Sequence, residues 1–123
     1  MNIALWIVQI LLALMFLMAG SMKATRPVEK LATNMGWVTE VGSTNVRLIG
    51  TLEILAAIGL ILPAATGILP WLTPTAAIGL VLTMIGAMIT HARRKEYSSI
   101  GMNVILLLLA AFVAIGRLVI APL

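Results

Sequence analysis

The stretch RLIGTLEILAAIGLIL, Arg47 to Leu62, sets one carboxylate, Glu53, inside an otherwise apolar run long enough to enter a bilayer as a helix. An ionisable side chain in the middle of a membrane helix costs roughly 2.5–3.5 kcal/mol on insertion scales unless it faces protein or water. Glu53 is therefore either a functional group or a polar anchor between helices. Gly50, Glu53, Ala57 and Leu60 fall on one helical face, whereas Arg47 points about 120° away from Glu53. The carboxylate thus lies on the small-residue side, where a neighbouring helix packs closely. There it needs a partner from another span, with His91 and Asn103 the best placed by depth, or a proton.

The rest of the chain has the same character. Of 123 residues, 62% are hydrophobic and 10% charged, with a mean hydropathy of +1.15; soluble domains carry about 25% charged residues. This composition implies an integral membrane protein whose length allows about four spans of ~20 residues with short connections, one domain in all. The net charge of +4 does not point to nucleic acid, because the basic residues sit in two short loops without interleaved aromatics. The absence of cysteine removes disulfides, thiol redox chemistry and thiolate ligation. One His and four carboxylates make a protein-built metal centre a poor reading.

Hydropathy and punctuation place the spans at about 3–22, 46–62, 74–92 and 100–120. The first has no basic segment before it and exceeds a signal-peptide core, so it reads as an uncleaved span. Gln9 is its one strongly polar interior residue and reads as packing. Met15, Met18 and Met22 recur at helical spacing, and Ala19-Gly20-Ser21 lets another helix approach just before Lys23. Between Lys23 and Asn45, Thr25 and Pro27 open a short amphipathic helix along the membrane surface, with Val28, Leu31, Ala32 and Met35 on one face and Glu29, Lys30 and Asn34 on the other. Gly36 ends it, and Trp37 reads as its interfacial anchor. Gly42-Ser43-Thr44-Asn45 offers cap chemistry to the second span, which Pro63 is expected to stop. Thr73-Pro74 reads as the cap of the third span, whose Gly79, Thr83, Gly86 and Thr90 form a small-residue face suited to helix packing or to a ligand groove. Ser98 or Ser99 reads as the cap of the fourth.

Loop charge orients the bundle. Lys23, Arg26, Lys30 and Arg47 flank the first loop and Arg93, Arg94 and Lys95 fill the third, against Arg117 on the opposite side. The positive-inside rule then puts both termini outside. At about 1.5 Å per residue, Glu53 lies about 10 Å in from the inner end of its span and Asn103 about 5 Å into the fourth, while His91 ends the third at the inner surface. With Lys23 and Arg47 at the same boundary, five polar groups surround one pocket opening to the cytosol. Arg117, about 15 Å away in depth, reads as snorkelling to outer headgroups.

Taken together, AGSMK at Ala19 to Lys23, RLIGTLEILAAIGLILP at Arg47 to Pro63, a third span ending in His91 and a short fourth span resemble the DoxX-like family of small four-helix membrane proteins. The likeness covers nearly the whole chain and is sharpest at Gly20 with Lys23, Gly50 with Glu53, and the Pro63 exit. It implies an all-α fold, a single DoxX-like membrane domain over 1–123 forming a four-helix transmembrane bundle, in a bacterial cytoplasmic membrane. Some relatives are similar to subunits of a thiosulfate:quinone oxidoreductase and others are tied to membrane redox complexes, while the wider superfamily accommodates quinone-like or sterol-like ligands. This chain departs from a thiol-based quinone reductase in having no cysteine.

The leading functional expectation is a binding or accessory subunit of a membrane redox system, without catalytic activity of its own. It would hold a quinone- or lipid-like molecule whose head lies near Glu53, Lys23, His91 and Asn103, with Arg47, Gly50 and Gly20 completing the site. No resident cofactor is expected beyond such a molecule; the partners are the lipid bilayer, redox-complex subunits and a second copy of the chain, and not nucleic acid. The competing readings are a proton-coupled transporter, since small multidrug exporters also use a lone membrane carboxylate, although in their first span; an enzyme with Glu53 as general acid and His91 as its partner; and a structural subunit that binds nothing.

Overall fold

In the computed structural model, residues 1–33 and 35–123 are described and contain helices and turns but no strand. The expectations placed on Asn34 and on the side chain of Val28 lie outside what is described. Helix α1 spans Asn2–Thr25, two single turns follow as α2 (Val28–Leu31) and α3 (Val38–Val41), and three long helices complete the bundle: α4 (Ser43–Thr66), α5 (Leu72–Arg93) and α6 (Tyr97–Ile115). A π-helical turn, Gly116–Ile120, continues α6.

Each long helix has an apolar window of mean hydropathy 1.9–2.5, of which only 28–33% is buried inside the bundle. The remainder points outwards, including Ile7, Leu14, Leu55, Leu82 and Leu108. Water does not tolerate so much contiguous apolar surface. A bilayer does, provided that backbone groups are satisfied within each segment, as helices allow.

The helices form two close pairs, α1 with α4 and α5 with α6, joined along α4 and α5, while α1 meets α6 only over a short stretch. Leu12, Phe16, Ala57, Leu60, Leu80 and Val113 fill the space between them. The α1/α4 contact is set by glycine. A Cβ on Gly20 would lie 2.6 Å from the Gly50 carbonyl oxygen, and one on Gly50 would lie 2.6 Å from the Gly20 oxygen and 2.7 Å from the Ala24 nitrogen. Close backbone approach of this kind replaces the hydrophobic drive that helices lack inside lipid. The face of α5 carrying Gly79 and Gly86 is different: nothing lies within 4 Å of a Cβ built on either residue. The expected helix contact is absent there and the face is open.

The helix ends depart from the sequence reading where tertiary partners override local signals. Pro63 does not stop α4, which carries it inside and runs on to Thr66. Proline has no N–H to give the Gly59 carbonyl four residues back, and the Thr73 hydroxyl of α5 donates to that oxygen instead, at 2.8 Å. The helix ends at Gly67, whose φ of 73° is the left-handed cap that glycine adopts freely. Thr73 is therefore a cross-helix donor rather than a cap. Ser98 and Ser99 lie inside the first turn of α6, and neither α4 nor α6 has a side-chain cap; Asn45 donates to the Val41 oxygen at 3.0 Å.

The first loop holds two turns in place of one helix. The Thr33 hydroxyl takes the Lys30 carbonyl at the end of α2, at 2.7 Å, a local bond that competes with helix propagation. Leu31 and Val38 bury with Val46 against Met22 and Met35, and Trp37 packs, partly buried, against the same cluster. The loop is thereby folded over the basic end of the bundle.

At the other end, Arg117 does not snorkel outwards. It is 3% exposed, and its Nε donates to Gln9 Oε1 at 2.7 Å while Nη1 donates to Asn2 Oδ1 at 2.7 Å and to the Ala121 oxygen at 3.1 Å. The Trp6 ring centroid lies 5.8 Å from the guanidinium carbon. Gln9 is more than packing, because its amide also donates to the Leu60 carbonyl at 2.7 Å. The π-turn starts at Gly116, which sits against Leu5, and so brings Arg117 under α1. Nε and Nη1 thus take internal acceptors in place of headgroups, while Nη2 is buried without a partner among the described residues.

The glycine contact yields a stability prediction. Gly50→Val, which meets backbone atoms on α1, is expected to destabilise the bundle by about 1–3 kcal/mol, whereas Gly79→Ala, which meets nothing, should be neutral or stabilising by up to about 1 kcal/mol. Thermal unfolding of both variants in detergent micelles measures the contrast.

Candidate functional site

Gly20 and Lys23 on α1, and Gly50 and Glu53 on α4, have the same three-residue spacing on antiparallel helices. The glycines touch, so each charged residue emerges beside the other helix's glycine: the Cβ positions above place Lys23 next to Gly50 and Glu53 next to Gly20. Lys23 Nζ then donates to Glu53 Oε1 at 2.7 Å, with side-chain exposures of 14% and 2%. The partner of Glu53 is thus Lys23, and not His91 or Asn103. The long stem of lysine lets its ammonium reach inwards from the helix end. The same ammonium lies 5.6 Å from the Trp37 ring centroid, within the range of cation–π attraction.

In front of Lys23 is a cavity of about 580 Å³. Its polar border is formed by Lys23, Trp37, His91, Glu96, Ser99 and Asn103, and its apolar wall includes Val41, Ile49, Met84 and Met102. Asn103 Nδ2 makes a long contact of 3.6 Å to Met84 Sδ, and its carbonyl oxygen is buried without a partner among the described residues. The Thr83 and Thr90 hydroxyls turn back to the Gly79 and Gly86 carbonyls of their own helix, at 2.8 and 3.0 Å, and leave methyl groups for the wall.

The mouth at the basic end is bridged by a chain of ion pairs. Beyond the end of α5, Lys95 takes a φ of 59°, and the Glu96 N–H reaches back to the His91 carbonyl at 2.8 Å, the six-to-one bond of a Schellman cap. This turn puts the Glu96 carboxylate 3.0 Å from His91 Nδ1 and 3.1 Å from Arg94 Nε. Arg94 Nη1 continues to Glu40 of α3 at 2.5 Å, tying the third loop to the first. The hydrogen bond from His91 is the main cause that holds the Glu96 carboxyl below its ordinary value of 4.5, with Arg94 adding to it.

Of the residues expected at one pocket, Lys23, His91 and Asn103 border the cavity, and Glu53 stands behind Lys23. Gly20 and Gly50 lie at the helix crossing. Arg47 is elsewhere: its guanidinium donates to the Ala24 oxygen at 2.5 Å and the Arg26 oxygen at 3.5 Å, where a cation complements the carboxyl end of α1. Sequence reasoning did not find Trp37, Glu96, Arg94 or Glu40. Glu96 follows His91 by five residues, the spacing of a helix-capping return, but a lysine in the left-handed position gives no warning of one.

Four helices that turn large apolar side chains outwards around a partly polar interior define a multi-pass integral membrane protein. The chain belongs to the DoxX-like family, whose model matches residues 7–113. No match was found among curated proteins or among solved structures.

Two predictions follow from the charges. Lys23→Met leaves Glu53 buried and uncompensated and is expected to lower stability by about 3–5 kcal/mol, while Lys23→Met combined with Glu53→Leu should recover most of the loss; unfolding of the two variants in micelles compares them. Because the Glu96 carboxyl is depressed in the folded state, its contribution is complete above the ordinary carboxyl value and is lost as pH falls through the lower folded one. With Trp6 and Trp71 replaced by Phe, Trp37 fluorescence should therefore change with a midpoint below pH 4.5, and Glu96→Gln should abolish that transition.

Proposed function

We propose that this protein holds one amphiphile with a hydrogen-bonding head, of quinone or lipid type, in the cavity at its basic end. In this reading it serves as an accessory subunit of a membrane redox system in a bacterial cytoplasmic membrane, with both termini on the outer side. The observation that carries the binding half is Asn103. An asparagine serving only as a helix anchor would satisfy its carbonyl on another helix. This one leaves it buried and, among the described residues, unpartnered, in a residue that borders a cavity also lined by Lys23, Trp37 and His91. A volume of about 580 Å³ lies within the roughly 300–1,000 Å³ usual for small-molecule sites.

In this role Asn103 and Lys23 make hydrogen bonds to the head, Glu53 holds Lys23 in position, and His91 closes the far side. The orientation follows from the basic residues of the first and third loops, which lie at the cavity end. Arg117, the one basic side chain of the opposite end, is buried with its Nε and Nη1 on internal acceptors. The exporter reading is weaker, because a carboxylate that loads and releases protons alone has no fixed partner and Glu53 has Lys23.

The test is to purify the protein in mild detergent, extract it with organic solvent and identify what co-purifies by mass spectrometry, for wild type and for Asn103→Leu. A stoichiometric quinone or single lipid species in wild type, reduced at least tenfold in a folded Asn103→Leu variant, is the expected result, corresponding to about 1.4 kcal/mol. Extracts that match bulk membrane lipid in both would overturn the binding reading, and a bound molecule without redox chemistry would overturn its redox half.

A further inference from the structure

A second cavity, of about 460 Å³, runs along the outer seam between α4 and α5. Its floor is made of small residues, Gly59, Ala76 and Gly79, and its rims of Leu55, Leu62 and Leu72. The two helices are close at the floor, where a Cβ on Gly59 would lie 2.9 Å from that of Ala76, and open at Gly79, where a Cβ would meet nothing within 4 Å. Thr75 and Thr83 also border this groove, but their hydroxyls are bonded to the Trp71 and Gly79 carbonyls at 2.8 Å each. The groove therefore presents no free hydroxyl from either threonine.

Thr83 borders both cavities. The polar chamber at the basic end and the apolar groove thus adjoin at Thr83 on one face of α5, and from Thr83 to Leu72 the groove extends for about 16 Å at 1.5 Å per residue. Resting on the binding role proposed above, we infer that the ligand carries a single flexible apolar chain, which leaves the head chamber past Thr83 and lies in the α4/α5 groove. Inside a bilayer any lipid tail can touch such a groove, but a tail tethered to a bound head meets it at a high effective concentration that free lipid does not have. A groove of about 460 Å³ drawn out over that length accepts one chain. A two-chain phospholipid or a rigid polycycle would leave most of its apolar surface outside it. Gly79 and Gly86, where a Cβ would meet nothing within 4 Å among the described residues, lie on the same path.

Photolabelling tests this. A single-chain probe with a hydroquinone head is prepared in two forms, with a diazirine beside the head or at the tip of the tail, alongside a matching pair with a glycerol head. Labelled sites in full-length protein in micelles are mapped by mass spectrometry. The expected result, for whichever head binds, is head-proximal labelling at Trp37, Met84 or Met102, and tip labelling confined to Leu55–Leu62 and Leu72–Gly79. Gly79→Leu, which fills open space, should reduce the tip labelling at least tenfold and leave the head labelling unchanged. If the head labels as expected while the tip is scattered over the outward faces of all four helices, the tail groove is wrong and the head site stands. If no head labels the chamber, both readings fall.

Discussion

The ion pair between Lys23 and Glu53 depends on the contact between Gly20 and Gly50, and much of the basic half of the molecule depends on that pair. Any side chain at either glycine would push the helices apart, and an ammonium and a carboxylate that no longer met inside the bilayer would each stand as an uncompensated charge. Buried ion pairs contribute little net stability when whole, yet are costly when broken. Their value here is in register: with both charges three residues beyond the glycines, a slip of α1 along α4 by one turn would separate them. The spacing thus selects one alignment of the first two spans and fixes which face of α1 looks into the cavity.

The opposite half is held by a different kind of bond. Pro63 leaves the Gly59 carbonyl without its helical donor and Thr73 supplies one, while Gln9 adds a donor to the next carbonyl, that of Leu60, and accepts from Arg117. Three helices and the π-turn are therefore linked around the end of α4 by groups that lipid could not satisfy. This end is closed by polar bonds and by the approach of Gly116 to Leu5. At the basic end the cavity lies among α1, α4, α5 and α6, and the first loop borders it with Met35, Trp37 and Val41. The cavity is the space between a bundle tied at one end and a loop folded over the other.

What the sequence made legible divides along the same lines. The four spans, the inward face of Glu53 and the close approach at Gly20 rest on hydropathy and helical spacing, which are local properties. The partner of Glu53 was missed because depth counted along a helix locates Cα atoms. Lysine carries its charge several ångströms from its Cα, so Lys23 at the boundary reaches a carboxylate that His91 and Asn103 match better by count. Arg117 was misread for the mirror-image reason, its long side chain being sent outwards when Gln9, a lone amide in the same half of the first span, offered an inner acceptor. Pro63 obeys a local rule that a donor on another helix overrules. The Arg94 strap depends on a left-handed lysine, which sequence pattern does not signal.

Charge balance narrows the chemistry that such an interior accepts. Lys23 is matched by Glu53, Arg94 by Glu40 and Glu96, and His91 shares Glu96, so among the described residues no cation bordering the chamber is left over to neutralise a phosphate or carboxylate. A formal charge brought in from the headgroup region would have to displace one of these carboxylates and leave it unpaired in a low dielectric. A neutral head that donates or accepts hydrogen bonds displaces nothing and satisfies the Asn103 carbonyl, provided that it brings a hydroxyl or N–H. The walls follow the same rule by other means, since the hydroxyls of Thr75, Thr83 and Thr90 are turned into their own helix. In the binding role proposed above, chamber and groove alike would exchange lipid for a molecule of similar polarity, the condition under which entry from the bilayer carries a small penalty.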